Sequence, residues 1–318
     1  IGTAVSLVRG VGGTFASGNM KVLVDNVSIN AALSALANPA LQMPIELVER
    51  IEVIRGPGSS LYGEYAYAGV VNIITHRDKR KLYLKIGRYG ERSLGGVFSG
   101  QDPDSALKYT LSVAGRSQDD SNTQAIDDVL HHIALPQIAA SNAPGPINDE
   151  QEYRSTILNL EHNKTSLNLQ LLHDGHGDYF GTINVLPYAS DGIAYENTHH
   201  NFKLSHEVDL SEQLTANLSL DWKRYQNSFD ITFLPAGYLG VYANGFLANG
   251  YYSERQLLVG AEFTWSGWDK HNILFGLSAT DIKVQEAWED SNVNLVTFAP
   301  LPSTQRFSGA SNWIDENK

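Results

Sequence analysis

The stretch VERIEVIRGPGSSLYGEYAYAGVVNIIT, Val48–Thr75, sets two β-branched apolar runs on either side of RGPGSSLYG, an arginine followed by a loop dense in glycine and proline. Gly56, Gly58 and Gly63 give the backbone conformations closed to residues with a Cβ, and Pro57 fixes its own φ. The segment therefore predicts a tight loop between two strands, without helix or ladder. It lacks the lysine and the helix start that a phosphate-cradling glycine loop needs. Arg55 brings five donors in a rigid fork, suited to carboxylates in a partly dry interface.

Toward the N-terminus, KVLVDNVSI (Lys21–Ile29) alternates apolar residues around Asp25-Asn26, a dipeptide that tolerates positive φ and suits a tight hairpin. AALSALANPALQ reads as a short helical turn stopped by Pro39, and IELVERIEVIRG as a segment that begins helical and becomes a strand. This part is a small α+β unit. Beyond it HRDKRK, His76–Lys81, reads as a solvated basic linker.

From Leu82 the texture changes to strict alternation. One face carries Leu82, Leu84 and Ile86; Leu107, Tyr109, Leu111 and Val113; Leu167, Leu169 and Leu171. The same face continues with Leu214, Ala216, Leu218, Leu220 and Trp222, then Val259, Ala261, Phe263 and Trp265, then Ile273, Phe275, Leu277 and Ala279. Residues between them are mostly polar. Short polar connections (HNKT, DLSEQ, SGWDKH) alternate with long irregular stretches at 117–151, 175–196 and 227–253. That asymmetry predicts an antiparallel transmembrane β-barrel with short periplasmic turns and long extracellular loops, about nine or ten strands of it in this chain. Trp222 with Tyr225, Trp265 with Trp268, and Tyr251 with Tyr252 are expected in its interfacial girdles.

Composition agrees. The 318 residues carry a formal charge of -12 and no basic stripe, which argues against nucleic-acid binding. No cysteine is present, so disulfide scaffolds and thiol chemistry are excluded. No run of about 18 apolar residues predicts a membrane-spanning helix, and a membrane role falls to strands. No signal peptide opens the chain, which starts at Ile1. G-x-S-x-G, P-loop and H-E-x-x-H patterns are absent, so no enzyme is read here. HDGHGD, with His173, Asp174, His176 and Asp178, has the polar density of a metal site, although a Gly/Asp turn explains it more simply and no metal or other cofactor is expected. His131-His132 and His199-His200 suggest haem capture only weakly, since neighbours on a strand point to opposite faces.

The stretch at Val48–Thr75 closely resembles the plug-domain signature of TonB-dependent outer-membrane receptors, in which a plug is followed directly by its barrel. VSLVRG, ending at Arg9 and Gly10, resembles the plug's earlier I-R-G strand end, and VLVDNVSI its V-L-V-D-G-V-P segment with Asn26 in place of glycine. The resemblance implies a plug over residues 1–78 and the N-terminal portion of a barrel over 79–318. It implies that Arg9 and Arg55, with Glu52 beside them, hold the plug against acidic groups of the barrel wall; a local pair of Arg55 with Glu52 or Glu49 is the alternative. Tyr62, Tyr65 and Tyr67 would line the plug's outer face and touch ligand, or pack the plug against the barrel. The family's Ton box and its barrel of about 22 strands imply that the chain is an interior piece of a longer receptor. The implied function is TonB-coupled import of a ferric siderophore by a monomer embedded in outer-membrane lipid, with cobalamin, haem or oligosaccharide as alternative ligands. A secreted, soluble β-rich carbohydrate-binding or hydrolytic protein is the opposed reading.

Overall fold

The computed structural model describes residues 20–58, 62–132, 141–187 and 192–307. Two sheets dominate. The first, in the order β2-β1-β4-β3, is built from β1 (Met20–Val24), β2 (Val27–Ser28), β3 (Val48–Arg55) and β4 (Gly69–Thr75). β1 and β2 form a hairpin closed by Asp25 and Asn26 at φ 51° and 65°. Positive φ at both central residues suits a two-residue hairpin, whose twist then matches that of its strands. Asn26 Oδ1 also accepts a hydrogen bond from Asn72 Nδ2 at 2.8 Å. Asn26→Gly is therefore expected to keep the turn and still lose about 1 kcal/mol, and Asn26→Ala about twice that, in urea unfolding of the protein.

Between these strands lie α1 (Asn38–Leu41) and a 3₁₀ turn, Ile45–Leu47. Pro39 starts α1 rather than stopping the turn before it. Its missing N–H is one that the first turn of a helix leaves unpaired in any case. The 3₁₀ turn runs directly into β3, so the segment does begin helical and become a strand.

The second sheet is a ten-stranded antiparallel meander of β5 (Arg80–Ile86), β6 (Arg92–Asp102), β7 (Leu107–Gln118), β10 (Gln151–His162), β11 (Thr165–His176), β12 (Tyr195–Ser211), β13 (Leu214–Leu234), β14 (Phe246–Trp268), β15 (His271–Val293) and β16 (Pro300–Arg306). A two-stranded piece, β8 (Gln124–Ala125) with β9 (Gly145–Pro146), and α2 (Val129–His132) sit in the loop between β7 and β10. Asp120 ties that loop's two ends by accepting from the N–H groups of Asp149 and Glu150, both at 2.9 Å.

Turns of a few residues join β6 to β7, β10 to β11, β12 to β13 and β14 to β15 at one end; the long connections gather at the other. The third irregular stretch expected, 227–253, is mostly strand: β13 runs to Leu234 and β14 starts at Phe246. Sequence alternation fades there because aliphatic, aromatic and polar residues fall on both faces of these upper ladders, Ile231 and Ala248 buried on one and Leu247 exposed on the other. At about 3.3 Å per residue, the 23 residues of β14 reach about 75 Å, well beyond the strand length needed to cross a bilayer.

Cross-strand register sorts the side chains. Leu158 lies opposite Leu169 and Leu111, Leu204 opposite Leu167 and Leu220, and Leu220 opposite Val259. These leucines share the outer face, where Leu218, Val259 and Leu277 are exposed. Asn159, Asn168, Gln170 and Asn201 share the inner face and are buried under the first sheet. Apolar outside and polar inside is the reverse of a soluble domain.

Candidate functional site

The small sheet sits on the inner face of the large one, and their contact is the site. Near the short-turn end the seat is Asp25, whose side chain has no exposed surface. One of its oxygens accepts from the Thr75 N–H at 2.9 Å; the other accepts from Thr75 Oγ1 at 2.7 Å and from Asn159 Nδ2 of β10 at 3.1 Å. Gln170 Nε2 of β11 donates to the carbonyl of Val24 at 2.8 Å, and Asn168 Nδ2 donates to Asn159 Oδ1 at 2.6 Å. Apolar contact flanks these bonds: Val22, Val24, Ile29, Ala37, Ala40 and Ile73 pack with Ile157 and Leu172 of the wall, and Leu47 with Val97, Ala114 and Tyr153.

The basic run after Thr75 belongs to this contact and is not simply solvated. The His76 N–H bonds to the carbonyl of Leu47, Arg77 pairs with Glu161 of β10 at 2.8 Å, and Lys81 donates to the carbonyl of Glu46 at 3.3 Å. Lys85 pairs with the Glu46 carboxylate. Chain connectivity makes these tethers natural, because the residues that leave the plug must at once enter the wall.

Toward the long-loop end, Glu254 of β14 is buried and accepts from the backbone N–H groups of Ala32 and of Leu33, the latter at 3.1 Å, and from Tyr252 Oη at 2.6 Å. Tyr65, at φ 66°, donates its hydroxyl to the carbonyl of Ala32. Lys21 Nζ stands 5.8 Å from the centre of the Tyr65 ring. Burial, and next the ammonium of Lys223, pull the Lys21 ammonium down to about 8, partly offset by Glu64 and Asp221. Burial first, then the carboxylates of Glu64 and Glu254, push the Tyr65 hydroxyl up to about 12.

A lysine whose pKa is lowered on folding leaves the folded chain with fewer protons than the unfolded chain between pH 8 and 10.5. Stability should therefore rise with pH across pH 8 to 10, until Tyr65 begins to oppose it. Denaturant titrations should show a rise on the order of 2 kcal/mol, and Lys21→Met should flatten it.

The residues singled out in the sequence fall in several places. Arg9 lies outside the described residues. Arg55 ends β3, exposed, at the long-loop end, and makes no ion pair among the described residues. The local arginine–carboxylate pairs belong to Arg50, which binds Glu49 at 3.2 Å and Glu52 at 2.8 Å; Glu52 also accepts from Asn72 at 3.1 Å. Gly56 and Gly63 do have positive φ, 112° and 69°. Gly58 serves closeness instead, since a Cβ there would lie 3.1 Å from Val70 Cγ2. Pro57 follows Gly56 into this loop. Tyr62 packs on Leu23, Ala66 and Val70, Tyr65 joins the contact with the loop around Ala32, and Tyr67 is exposed.

Alternation splits HDGHGD. His173 points outward, hydrogen-bonded to Glu152 and Thr198, whereas Asp174 and His176 are buried on the inner face and Asp178 accepts from Thr182. His199 packs inward on Tyr225 with ring centres 4.6 Å apart, while His200 lies on the other face. The aromatic pairs divide likewise. Trp222 and Tyr251 face outward, but Tyr225 is buried on Asn197 and Tyr252 bonds Glu254, so these two are luminal and not girdle residues. Trp265 and Trp268 meet edge to face, 5.0 Å apart. In the sequence Asp25 is legible only as a turn residue and Asn159 and Gln170 only as polar members of alternating strands; nothing there pairs them, or points to Glu254.

A family model described as the TonB-dependent receptor plug domain matches residues 2–70. Among solved structures, the chain is similar to the ferric yersiniabactin uptake receptor FyuA from Yersinia pestis, at 16% identity and TM-score 0.59 over 90% of this chain and 43% of that one. It is similar also to the pyoverdine outer membrane receptor FpvA from Pseudomonas aeruginosa, at 12% identity and TM-score 0.56 over 93% and 43%. A third similar structure is the copper transporter OprC, at 14% identity and TM-score 0.59 over 94% and 43%. The chain thus spans about 43% of the length of these proteins, and at such identities they speak for the fold alone. Residues 2–70 thus match the TonB-dependent receptor plug domain, and its described part is seated on the polar inner face of an antiparallel wall that shares the fold of these solved structures.

Proposed function

We infer that this chain serves in TonB-coupled import across a Gram-negative outer membrane, with a ferric siderophore as the ligand. Plug and wall divide at residues 78 and 79, and the receptor binds and moves its ligand without making or breaking a covalent bond. The observation that carries the reading is the character of the plug's seat. It is a plug held on a polar wall by discrete hydrogen bonds of about 1 kcal/mol each and by small apolar clusters, an attachment that applied work can release. Arg55, with Arg9, is assigned to the same attachment elsewhere on the barrel, and Tyr67, exposed at the long-loop end, to ligand contact. TonB supplies the work, the receptor acts as a monomer, and outer-membrane lipid surrounds the outer face. One of the three similar structures described above is a ferric yersiniabactin uptake receptor, which supports iron over cobalamin, haem or oligosaccharide.

The test is uptake of ⁵⁵Fe-labelled siderophores by iron-starved cells carrying or lacking the gene, with and without TonB. Gene- and TonB-dependent accumulation supports the reading. Growth restored only by cobalamin, haem or an oligosaccharide would reassign the ligand. Recovery of the gene product without detergent in the soluble fraction would overturn membrane transport altogether.

A further inference from the structure

The register of the wall aligns an outward-facing row of basic residues. His200 of β12 lies opposite Arg224 of β13, Arg224 opposite Arg255 of β14, and Arg255 opposite Lys283 of β15. The next row toward the short turns is Phe202, Trp222, Leu257 and Asp281, and below it run Leu204, Leu220, Val259 and Ala279. From Leu257 to Trp265 the outer face of β14 stays apolar, as does that of β13 from Trp222 to Leu214 and that of β15 from Ala279 to Ile273; on β14 this is about 27 Å of strand, which at a tilt of about 40° is about 20 Å of height, most of a barrel's lipid-facing band. The basic row therefore marks the upper border of that band, on the long-loop side.

Side chains directly opposite across a ladder have Cβ atoms about 5 Å apart, and like charges so placed repel. Three cations in succession, in a chain of formal charge -12, are not explained by general composition. Among the described residues Arg255 pairs with Asp281 at 3.2 Å, while Arg224 and Lys283 of the row form no ion pair. Unpaired guanidinium donors at the edge of a lipid band match phosphate esters, which accept several such bonds at once. Adjacent strands stand about 4.8 Å apart, so the row runs for about 15 Å and can span more than one phosphate.

We propose that His200, Arg224, Arg255 and Lys283 form a binding site for the phosphate groups of an anionic glycolipid in the leaflet that faces the long loops. The site rests on the membrane reading above and is independent of the imported ligand. Lipid phosphate neutralises the row, seats the barrel at a fixed depth, and uses the apolar face beneath for the acyl chains.

The experiment takes the receptor encoded by the complete gene, extracted from outer membranes in detergent, and measures retention of bisphosphorylated lipid A, of dephosphorylated lipid A and of inorganic phosphate. Retention of the bisphosphorylated form is expected to exceed the dephosphorylated form. It should fall about a hundredfold in the triple variant Arg224→Gln, Arg255→Gln, Lys283→Gln, at roughly fivefold per basic residue. Arg224→Lys with Arg255→Lys keeps the charges and should stay within a few-fold of the parent, which separates charge loss from misfolding. Equal retention of the dephosphorylated lipid, an unaffected triple variant, or inorganic phosphate competing at micromolar concentration would each overturn the site while leaving the membrane reading standing. Recovery of the receptor outside the membrane fraction would overturn that reading instead.

Discussion

Replacing Asp25 by alanine is expected to free the plug from the wall at its short-turn end, at a cost of about 3–5 kcal/mol. The carboxylate is fully enclosed and satisfies three donors at once: the Thr75 N–H, the Thr75 hydroxyl and the Asn159 amide. Alanine would leave all three buried without partners, with Arg77 Nη2, at 3.9 Å, facing an empty acceptor position. Desolvated, unpaired donors cost far more than a surface contact returns. Asp25→Asn keeps one acceptor oxygen and should cost about half as much. Glu161→Gln breaks only the half-exposed pair with Arg77 and should cost less than about 1 kcal/mol. Urea unfolding and protease cleavage between residues 25 and 80 are the measurements. An Asp25→Ala chain cleaved no faster than its parent would show that the apolar clusters around Ile157 and Leu47 hold the seat without it.

The second large effect lies on the other side of the wall. Leu220 faces outward between Leu204 and Val259, inside the apolar band and two rows below the basic row. Arginine there is expected to destabilise the membrane-inserted protein by about 1–3 kcal/mol, because a charge inside the lipid-facing band loses its hydration without gaining a partner. Ser219, one residue earlier, faces the interior between Ser205 and Gly260, and Ser219→Arg should cost less than about 1 kcal/mol. Refolding into lipid vesicles, read by denaturant titration, separates the two. A soluble protein would behave oppositely: Leu220→Arg would improve its solubility and leave its stability almost unchanged.

Much of this architecture is legible in the chain because its physical cause is local. Alternation of leucine with asparagine and serine fixes which residues share a face, since a strand's side chains repeat every two residues. Asp25-Asn26 closes a hairpin because both residues tolerate positive φ, and both adopt it. Short and long connections alternate because strands of a meander reverse at opposite ends. Local rules misplace what depends on more than one neighbour. The stretch 227–253 reads as irregular because its apolar residues do not alternate cleanly, yet its strands are held by pairing partners on both sides. Pro39 reads as a stop until the helix it begins is seen. Tyr225 and Tyr252 look like girdle residues until register turns them inward.

The sequence by itself determined the plug-domain match, through the motif at Val48–Thr75, and the apolar-out, polar-in wall, through periodicity. Tertiary structure alone decided where the plug rests and which groups hold it. Asp25 meets Asn159 across 134 positions, and Glu254 meets Leu33 across 221. It decided too that His200, Arg224, Arg255 and Lys283, which the sequence scatters over more than eighty residues, form one row. The physical reason is shared: alternation tells each side chain which face to take, but only register within the wall, and the seating of one sheet on the other, tell it which neighbour it will have there.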